Sequence, residues 1–433
     1  MAAHSDRASL APLLVGGPLL ALNHALLAAG LRRRLDGWRG AATRFLRGEE
    51  SSFVLSAFGL DPWSDAQRPA QPSTAQTTDR IKVRLEAFLR AEPGCRVRLR
   101  RGVDEDACEA SSTGDGCWTI AIEPWLEGPE RFLIPAADAW GAPWRDGGDT
   151  GTSPLINVLC RVDPTGRGGC DIWLRINHAG SDGVPMQEVL TRLEAAWGSA
   201  APVLYPTPEA FKRFEGERPV SGPAPLSLVQ CFADFGPLLA WRKDQNERLT
   251  AGGGGPSLTL ASGLMWRLAE LPEFSGVRMA STVEVAPRGN LPRGVGVVVI
   301  RPSDYRRRGD GLRRYAAEVV RQMERTRRGV SSGCRTLDAL AVMPARTARG
   351  VLRAAVSRTS LTFGSMVLTV VKDARVFGAP VGEIGHPHGF IAIGSARLPA
   401  SDGRLVGCAT MKGPRGVVGA YPELIRRAIN STQ

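Results

Sequence analysis

Ile172-Trp173-Leu174-Arg175-Ile176-Asn177-His178-Ala179-Gly180-Ser181-Asp182-Gly183-Val184 is the stretch on which the reading of this chain turns. Its first part, Ile172–Ile176, is an apolar run of strand type. Asn177–Gly183 is small and polar and reads as a loop, and an amphipathic helix follows around Met186–Trp197. A histidine at the end of a buried strand is held at the rim of a sheet, a better-defined place than a free loop gives. Asp182 can fold back to stiffen the turn, and Gly183 permits a close backbone approach that a Cβ would block. An imidazole of ordinary pKa, ~6.5, can take a proton from a hydroxyl, amine or thiol near neutral pH and return it to a leaving group. The plain alternative is a solvent-facing histidine followed by an Asp-Gly turn.

Upstream, Leu155–Val162 is a second apolar strand. The Gly-, Pro- and Thr-rich turn Asp163–Gly169 makes it and Ile172–Ile176 a hairpin. Further strands are expected at Cys95–Leu99 and Trp118–Ile122. A helix capped by Thr78 or Asp79 carries Ile81, Leu85, Phe88 and Leu89 on one face, and Gly141–Ser153 reads as a loop. Downstream, helices are expected around Ser257–Glu270 and from Leu312 to Arg327, with strands at Ala280–Val285, Val295–Ile300, Ser365–Val371 and Phe390–Ile393. The run Gly252–Gly255 is a surface connection or a flexible loop at a tunnel mouth.

A weak internal repeat organises these elements. Ile176–Val184 can be set against Lys412–Ala420, each after an apolar strand and before an amphipathic helix, the second helix being Pro422–Ile429. In that setting Pro414 stands at the histidine position and Val418 at the aspartate position. The segment Glu215–Pro225, with three prolines and two glycines, is the expected linker. The expectation is an N-terminal lobe over 1–214 with the motif, a linker over 215–225, and a C-terminal lobe over 226–433 with a degenerate copy.

The motif His178-x-x-x-Asp182-Gly183, in a chain of 433 residues with the motif near the middle, resembles that of the CoA-dependent acyltransferase superfamily. The layout is similar to its fused two-lobe members: condensation domains, wax ester synthases and polyketide-associated acyltransferases. The resemblance implies an α/β (α+β) fold of two chloramphenicol acetyltransferase-like lobes, a pseudo-dimer with the active-site tunnel between them. It implies an acyltransferase with His178 as general base and Asp182 as a structural residue paired with an arginine not identified. Gly183 would line the channel. The segment Leu361–Gly378 is similar to the part of the dihydrolipoyl acyltransferases that contributes a hydroxyl, which makes Thr369 the first candidate for oxyanion stabilisation and Ser365 the second. The donor would be acyl-CoA or acyl-phosphopantetheine on a carrier protein, as co-substrate and not as a permanently bound cofactor. The acceptor would be a small molecule or lipid, and the protein a cytoplasmic monomer. Many fused members carry a second histidine just before the base, where this chain has Asn177. That departure leaves a second expectation open, an inactive member of the fold serving as a binding or scaffold module.

Composition narrows the other classes. The net charge is +12, and lysine occurs only at Lys82, Lys212, Lys243, Lys372 and Lys412. The arginines are scattered in small groups without an aromatic-interleaved or zinc-finger pattern, so no nucleic-acid partner is expected. They fit an arginine-rich coding preference or a surface that attracts CoA phosphates or an acidic carrier. The cysteines, at 95, 108, 117, 160, 170, 231, 334 and 408, form no CxxC pair, so neither a disulfide framework nor a metal site is expected. His386 and His388 lack the further ligands a metal needs and read as a loop. Ser181 and Ser262 sit in no nucleophile elbow, and no phosphate-binding glycine loop is present. Trp118, Trp125, Trp140, Trp144, Trp173 and Trp266 read as core. Leu10–Leu31 is apolar but broken by Pro12, Gly16, Gly17 and Pro18. It reads as a strand near Pro12–Val15 and a buried helix near Leu19–Leu31, with peripheral membrane contact as the alternative.

Overall fold

The computed structural model describes residues 52–65, 68–100, 107–110, 113–140, 154–163, 165, 169–177, 183–198, 203–204, 206–219, 226–251, 253–285, 294–306, 309–328, 365–371, 377–379, 390–399, 402 and 404–431. Strands β1 (Ser52–Leu60), β4 (Trp118–Pro124), β5 (Ile156–Val162), β6 (Cys170–Asn177) and β12 (Phe377–Ala379) form one sheet in the order β12-β1-β6-β5-β4. A second sheet has the order β10-β9-β11-β13-β14-β8-β7. Its strands are β7 (Arg218–Pro219), β8 (Leu226–Asp234), β9 (Arg278–Val285), β10 (Gly294–Ile300), β11 (Ser365–Val371), β13 (Phe390–Pro399) and β14 (Leu405–Pro414). A small hairpin joins β2 (Val97–Arg100) and β3 (Ala107–Ala110). Helices α1 (Thr74–Ala91) and α2 (Gly183–Trp197) cover the first sheet. After the single turn α3 (Pro208–Phe211), helices α4 (Gly236–Thr250), α5 (Leu260–Leu268), α7 (Gly311–Arg327) and α8 (Tyr421–Asn430) cover the second, with the short α6 (Ser303–Arg306) between α5 and α7.

The expected hairpin is β5–β6, antiparallel from Ile156↔Ile176 to Val162↔Cys170. Several starts differ from expectation, among them those of the helices and strand expected at Met186, Ser257 and Ala280, which begin at Gly183, Leu260 and Arg278, and two have a plain local cause. Helix α1 begins at Thr74, because Ser73 accepts from the Gln76 N–H while the Gln76 side chain accepts from the Ser73 N–H, a closed capping box. Cys95 lies in a 3₁₀ turn opened by Pro93, so the strand expected from Cys95 starts at Val97.

The two sheets share one ladder. In the first, β4–β5 is parallel and β5–β6, β6–β1 and β1–β12 are antiparallel. In the second, β11–β13 is parallel and β13–β14, β14–β8 and β8–β7 are antiparallel. Side-chain alternation fixes how the copies superpose, since a one-residue slip turns every side chain to the other face. Leu174 pairs with Leu55 against α1 and α2, and Met411 pairs with Val229 against α5 and α8. These pairs correspond only if the repeat read from sequence is shifted by one residue. Then β6 and β14 end together, at Asn177 and Pro414, and His178 falls opposite Arg415 instead of Pro414. Asp182 falls opposite Gly419 instead of Val418.

With that register the faces away from the helices also match. Val54 and Phe58 on β1 correspond to Leu228 and Phe232 on β8, and all four enter one buried layer between the sheets. An aromatic chain crosses it: Phe58 meets Phe132 at 5.0 Å, Phe132 meets Phe211 at 6.3 Å, and Phe211 stacks on Phe232 at 3.7 Å. Phe132 and Phe211 come from segments that precede the second sheet, so the layer ties both halves of the chain into one body. The described part of the expected linker is bound in as well. Glu215 pairs with Arg426, and Arg218 donates to Ile134 O at 3.0 Å and to Gln230 Oε1. Phe232→Ala is expected to lower stability by about 3–5 kcal/mol, the cost of emptying an aromatic core position. Urea unfolding of the purified variant measures it.

Candidate functional site

The loop that carries the motif leaves the first sheet at Asn177, the last residue of β6, and Gly183 opens α2. His178 and Asp182 lie outside the described residues. Thr369 stands in β11 of the second sheet, in register with Ala392 of β13, and Ser365 opens the same strand opposite Arg278 of β9. Gly183 thus stands on a helix that covers the first sheet, and Thr369 in a strand of the second. Strand β12 connects the two neighbourhoods. It follows β11 in sequence yet pairs with β1, Ala379 opposite Val54, as an added edge of the first sheet. Because β12 and β6 both run antiparallel to β1, the chain leaves β12 at Ala379 at the same end of the sheet as it leaves β6 at Asn177.

The inter-sheet face beneath that end changes character along the strands. Three cross-strand pairs of β5 and β6 point into it: Arg161/Asp171, Leu159/Trp173 and Asn157/Arg175. At the end far from His178 Asp171 is matched, while Arg161 keeps its Nε and Nη1 without a hydrogen-bond partner. Asp171, fully buried, takes Arg131 Nε at 2.6 Å and Nη2 at 2.7 Å and accepts the Gly59 N–H at 2.9 Å. Burial pushes its carboxyl above the usual range while the Arg131 hydrogen bonds pull it back. Arg161 stands 3.5 Å from Glu123, and Arg131 lies over the Trp125 ring. The middle of the face is apolar, with Trp173 edge-on to Phe58 at 5.3 Å.

At the His178 end the partner across the strand from Arg175 is Asn157, a neutral side chain. Both are buried, at 5% and 1% exposure. Asn157 Nδ2 donates to Thr119 Oγ1 at 2.5 Å, but its Oδ1 has no hydrogen-bond partner, nor has Trp173 Nε1 one strand position further in. Leaving a buried acceptor unmade costs about 1–3 kcal/mol. Such a cost beside the end of β6 marks a place where a ligand could complete the set. In sequence the signal was the interruption of two apolar runs by Asn157 and Arg175, which the strand reading passed over.

The corresponding loop of the second lobe is occupied by the chain itself. Glu217 accepts from the Gly416 N–H with both oxygens, at 3.0 and 2.8 Å, and from the Gly419 N–H at 3.0 Å, just before α8. Gly416 has φ of 82°, a conformation that favours glycine. These amides hold the Glu217 carboxyl below its ordinary pKa. Glu217 precedes β7, the edge strand that answers to β12 in the first sheet.

His386 and His388 lie outside the described residues, as do Leu10–Leu31 and Gly141–Ser153. Among the described residues no group of three His, Cys, Asp or Glu side chains could hold a metal, and no helix is long and apolar enough to cross a membrane. Cys95, Cys117, Cys160, Cys170, Cys231 and Cys408 are buried free thiols.

No family model matches the chain, and no curated protein matches it. Solved structures do. The chain is similar to TRI101 of F. sporotrichioides, a structure complexed with coenzyme A and T-2, at 12% identity, covering 88% of this chain and 95% of that one with a TM-score of 0.47. It is similar to polyketide synthase associated protein 5 of Mycobacterium tuberculosis at 12% identity over 90% and 96%, TM-score 0.46. It is also similar to SgcC5 of Streptomyces globisporus at 12% identity over 88% and 93%, TM-score 0.47.

Replacing Asn157 by valine removes the unmatched Oδ1 and suits a strand whose residues are all buried. Asn157→Val is expected to raise stability by about 1 kcal/mol, read as a higher urea midpoint at unchanged slope. A lower midpoint would mean that the amide is fully satisfied.

Proposed function

We propose that this chain is an acyltransferase that moves an acyl group from a CoA or carrier-protein thioester to a hydroxyl or amine of a small-molecule or lipid acceptor, with His178 as general base. The observation that carries this reading is the place of the His-x-x-x-Asp-Gly loop. Its described flanks are Asn177, which closes β6 two residues beyond Arg175 of the buried Asn157–Arg175 pair, and Gly183, which opens α2; Asn177 lies at the same end of the sheet as Ala379.

On this reading the histidine nitrogen takes the acceptor's proton as the acceptor oxygen or nitrogen attacks the thioester carbonyl. The tetrahedral intermediate collapses with cleavage of the C–S bond, and the imidazolium returns its proton to the departing thiolate. Thr369, with Ser365 as the second candidate, donates a hydrogen bond to the oxyanion; such a donor is worth about 2.7–4 kcal/mol where it has been removed from other enzymes. Asp182 holds the turn through an arginine, and Gly183 leaves room for the thioester arm. The tunnel runs between lobes 1–214 and 226–433, joined at 215–225, in a cytoplasmic monomer. Asn157 and Arg175 face the acceptor or acyl group from the first sheet.

His178→Ala is expected to lower kcat/KM by about 10²–10⁴ with acyl-CoA or acyl-carrier donors, at an unchanged melting temperature. The rate of the unmodified enzyme should fall tenfold per pH unit below ~6.5, where the imidazole is protonated. Undiminished transfer by His178→Ala in a purified assay would refute the proposal. Asn157→Val should lose turnover while gaining stability.

A further inference from the structure

One helix carries a row of exposed cations with few acidic partners. Most cations on other helices face acids: Arg80 and Arg84 of α1 meet Asp65, and Arg248 of α4 meets Asp244. Helix α7 differs. Its buried side carries Tyr315, Ala316, Val319 and Thr326, while Arg313, Arg314, Arg321, Arg325 and Arg328 are exposed. At 100° per residue those five fall within one outward sector of roughly 120°. Arg314 lies 3.4 Å from Asp310, and Arg321 is bidentate to Glu318 at 2.8 and 2.5 Å. Among the described residues no carboxylate comes within ion-pair distance of Arg313, Arg325 or Arg328, and only Arg325 feels one, Glu318, at longer range.

We propose that this outer face of α7 is a docking surface for an acidic protein, which, resting on the acyl-transfer reading above, is the carrier that presents the thioester. The dimensions favour a macromolecule. From Arg313 to Arg328 the helix rises about 22 Å, longer than the compact phosphate cluster of one nucleotide can span. The chemistry favours protein carboxylates. Guanidinium groups match carboxylates through paired N–H donors, and a rigid helix presents them at i, i+4 and i+7 spacing to an acidic helix. The sector holds no bulky apolar residue to enter a lipid interface, only Ala317. Glu318 and Glu324 flank the arginines, which disfavours the continuous phosphate track of a nucleic acid.

The test is the triple charge reversal Arg313→Glu, Arg325→Glu, Arg328→Glu, at exposed positions that the proposed transfer chemistry does not use. The probes are octanoyl-loaded acyl carrier protein of net negative charge and octanoyl-CoA, each at low and high salt. The expected result is a KM for the carrier-borne donor raised about tenfold or more at low salt with kcat unchanged. The salt sensitivity of that KM should be lost, and kinetics with octanoyl-CoA should not change. An unaltered carrier KM, or an equal loss with both donors, overturns the proposal. If neither donor supports transfer, the acyl-transfer reading fails by itself. Fluorescence anisotropy of the labelled carrier then decides docking: binding that the reversal weakens sustains it, and no binding ends it. Reversal-sensitive binding only to phosphatidylserine vesicles or duplex DNA overturns it in favour of a membrane or nucleic-acid partner.

Discussion

The strands β1, β5 and β6 of the first sheet and β8 and β14 of the second are buried on both faces along their described side chains, and that constraint governs the rest of the molecule. A strand with helices on one side and another sheet on the other cannot alternate apolar and polar residues. It must supply two apolar sets in alternation, as β5 and β6 do with Val158 and Leu174 toward the helices and Leu159 and Trp173 toward the second sheet. Any polar residue in such a strand must then be matched by a partner or by a ligand. Asp171 has Arg131 and the Gly59 amide, whereas Asn157 is left with an unmatched oxygen.

The double burial also explains what could be read from sequence. Runs such as Leu155–Val162 and Ser365–Val371 announce themselves because they are continuous and bounded by turn residues, and their strands lie where expected. Helix α7 is legible from its 3.6-residue period. By the same token Asn157 and Arg175 were invisible, since a run read as buried says nothing about which polar members are satisfied. Strand β12 is only Phe377–Ala379 and exists because β1 offers an open edge. Its pairing is non-local, and no local propensity encodes it. The start of α1 turned on one reciprocal pair, Ser73 and Gln76, upstream of the apolar stripe that had drawn the boundary later. His178, Asp182 and Gly183 were singled out from their spacing. The oxyanion candidates Thr369 and Ser365 rested on likeness alone, and the structure adds that both stand on a central strand of the second sheet, from which the chain passes to the first sheet through β12.

The common ladder supports a duplicated architecture more firmly than the short sequence repeat does. Four consecutive pairings with the same directions are a stronger coincidence than nine loosely similar residues, and the facing pattern gives an independent check. Leu55 with Val229, Phe58 with Phe232 and Leu174 with Met411 agree only in the shifted register. The error in the sequence setting was a single residue, which the period of a strand converts into an inversion of faces.

Duplication raises the question of how the two strand-to-helix positions differ. A loop between a buried strand and a helix ends in outward-facing amides that attract a negative group. In the second lobe Glu217, just ahead of edge strand β7, already supplies that group, with three contacts to Gly416 and Gly419. The answering edge strand of the first lobe, β12, is Phe377-Gly378-Ala379, with no carboxylate among these three described residues. The second copy also has Arg415 where the first has His178, so it lacks a base of near-neutral pKa as well as free amides. Both differences point the same way: the second lobe is closed by its own side chain, and it serves the first by lending a strand and a wall.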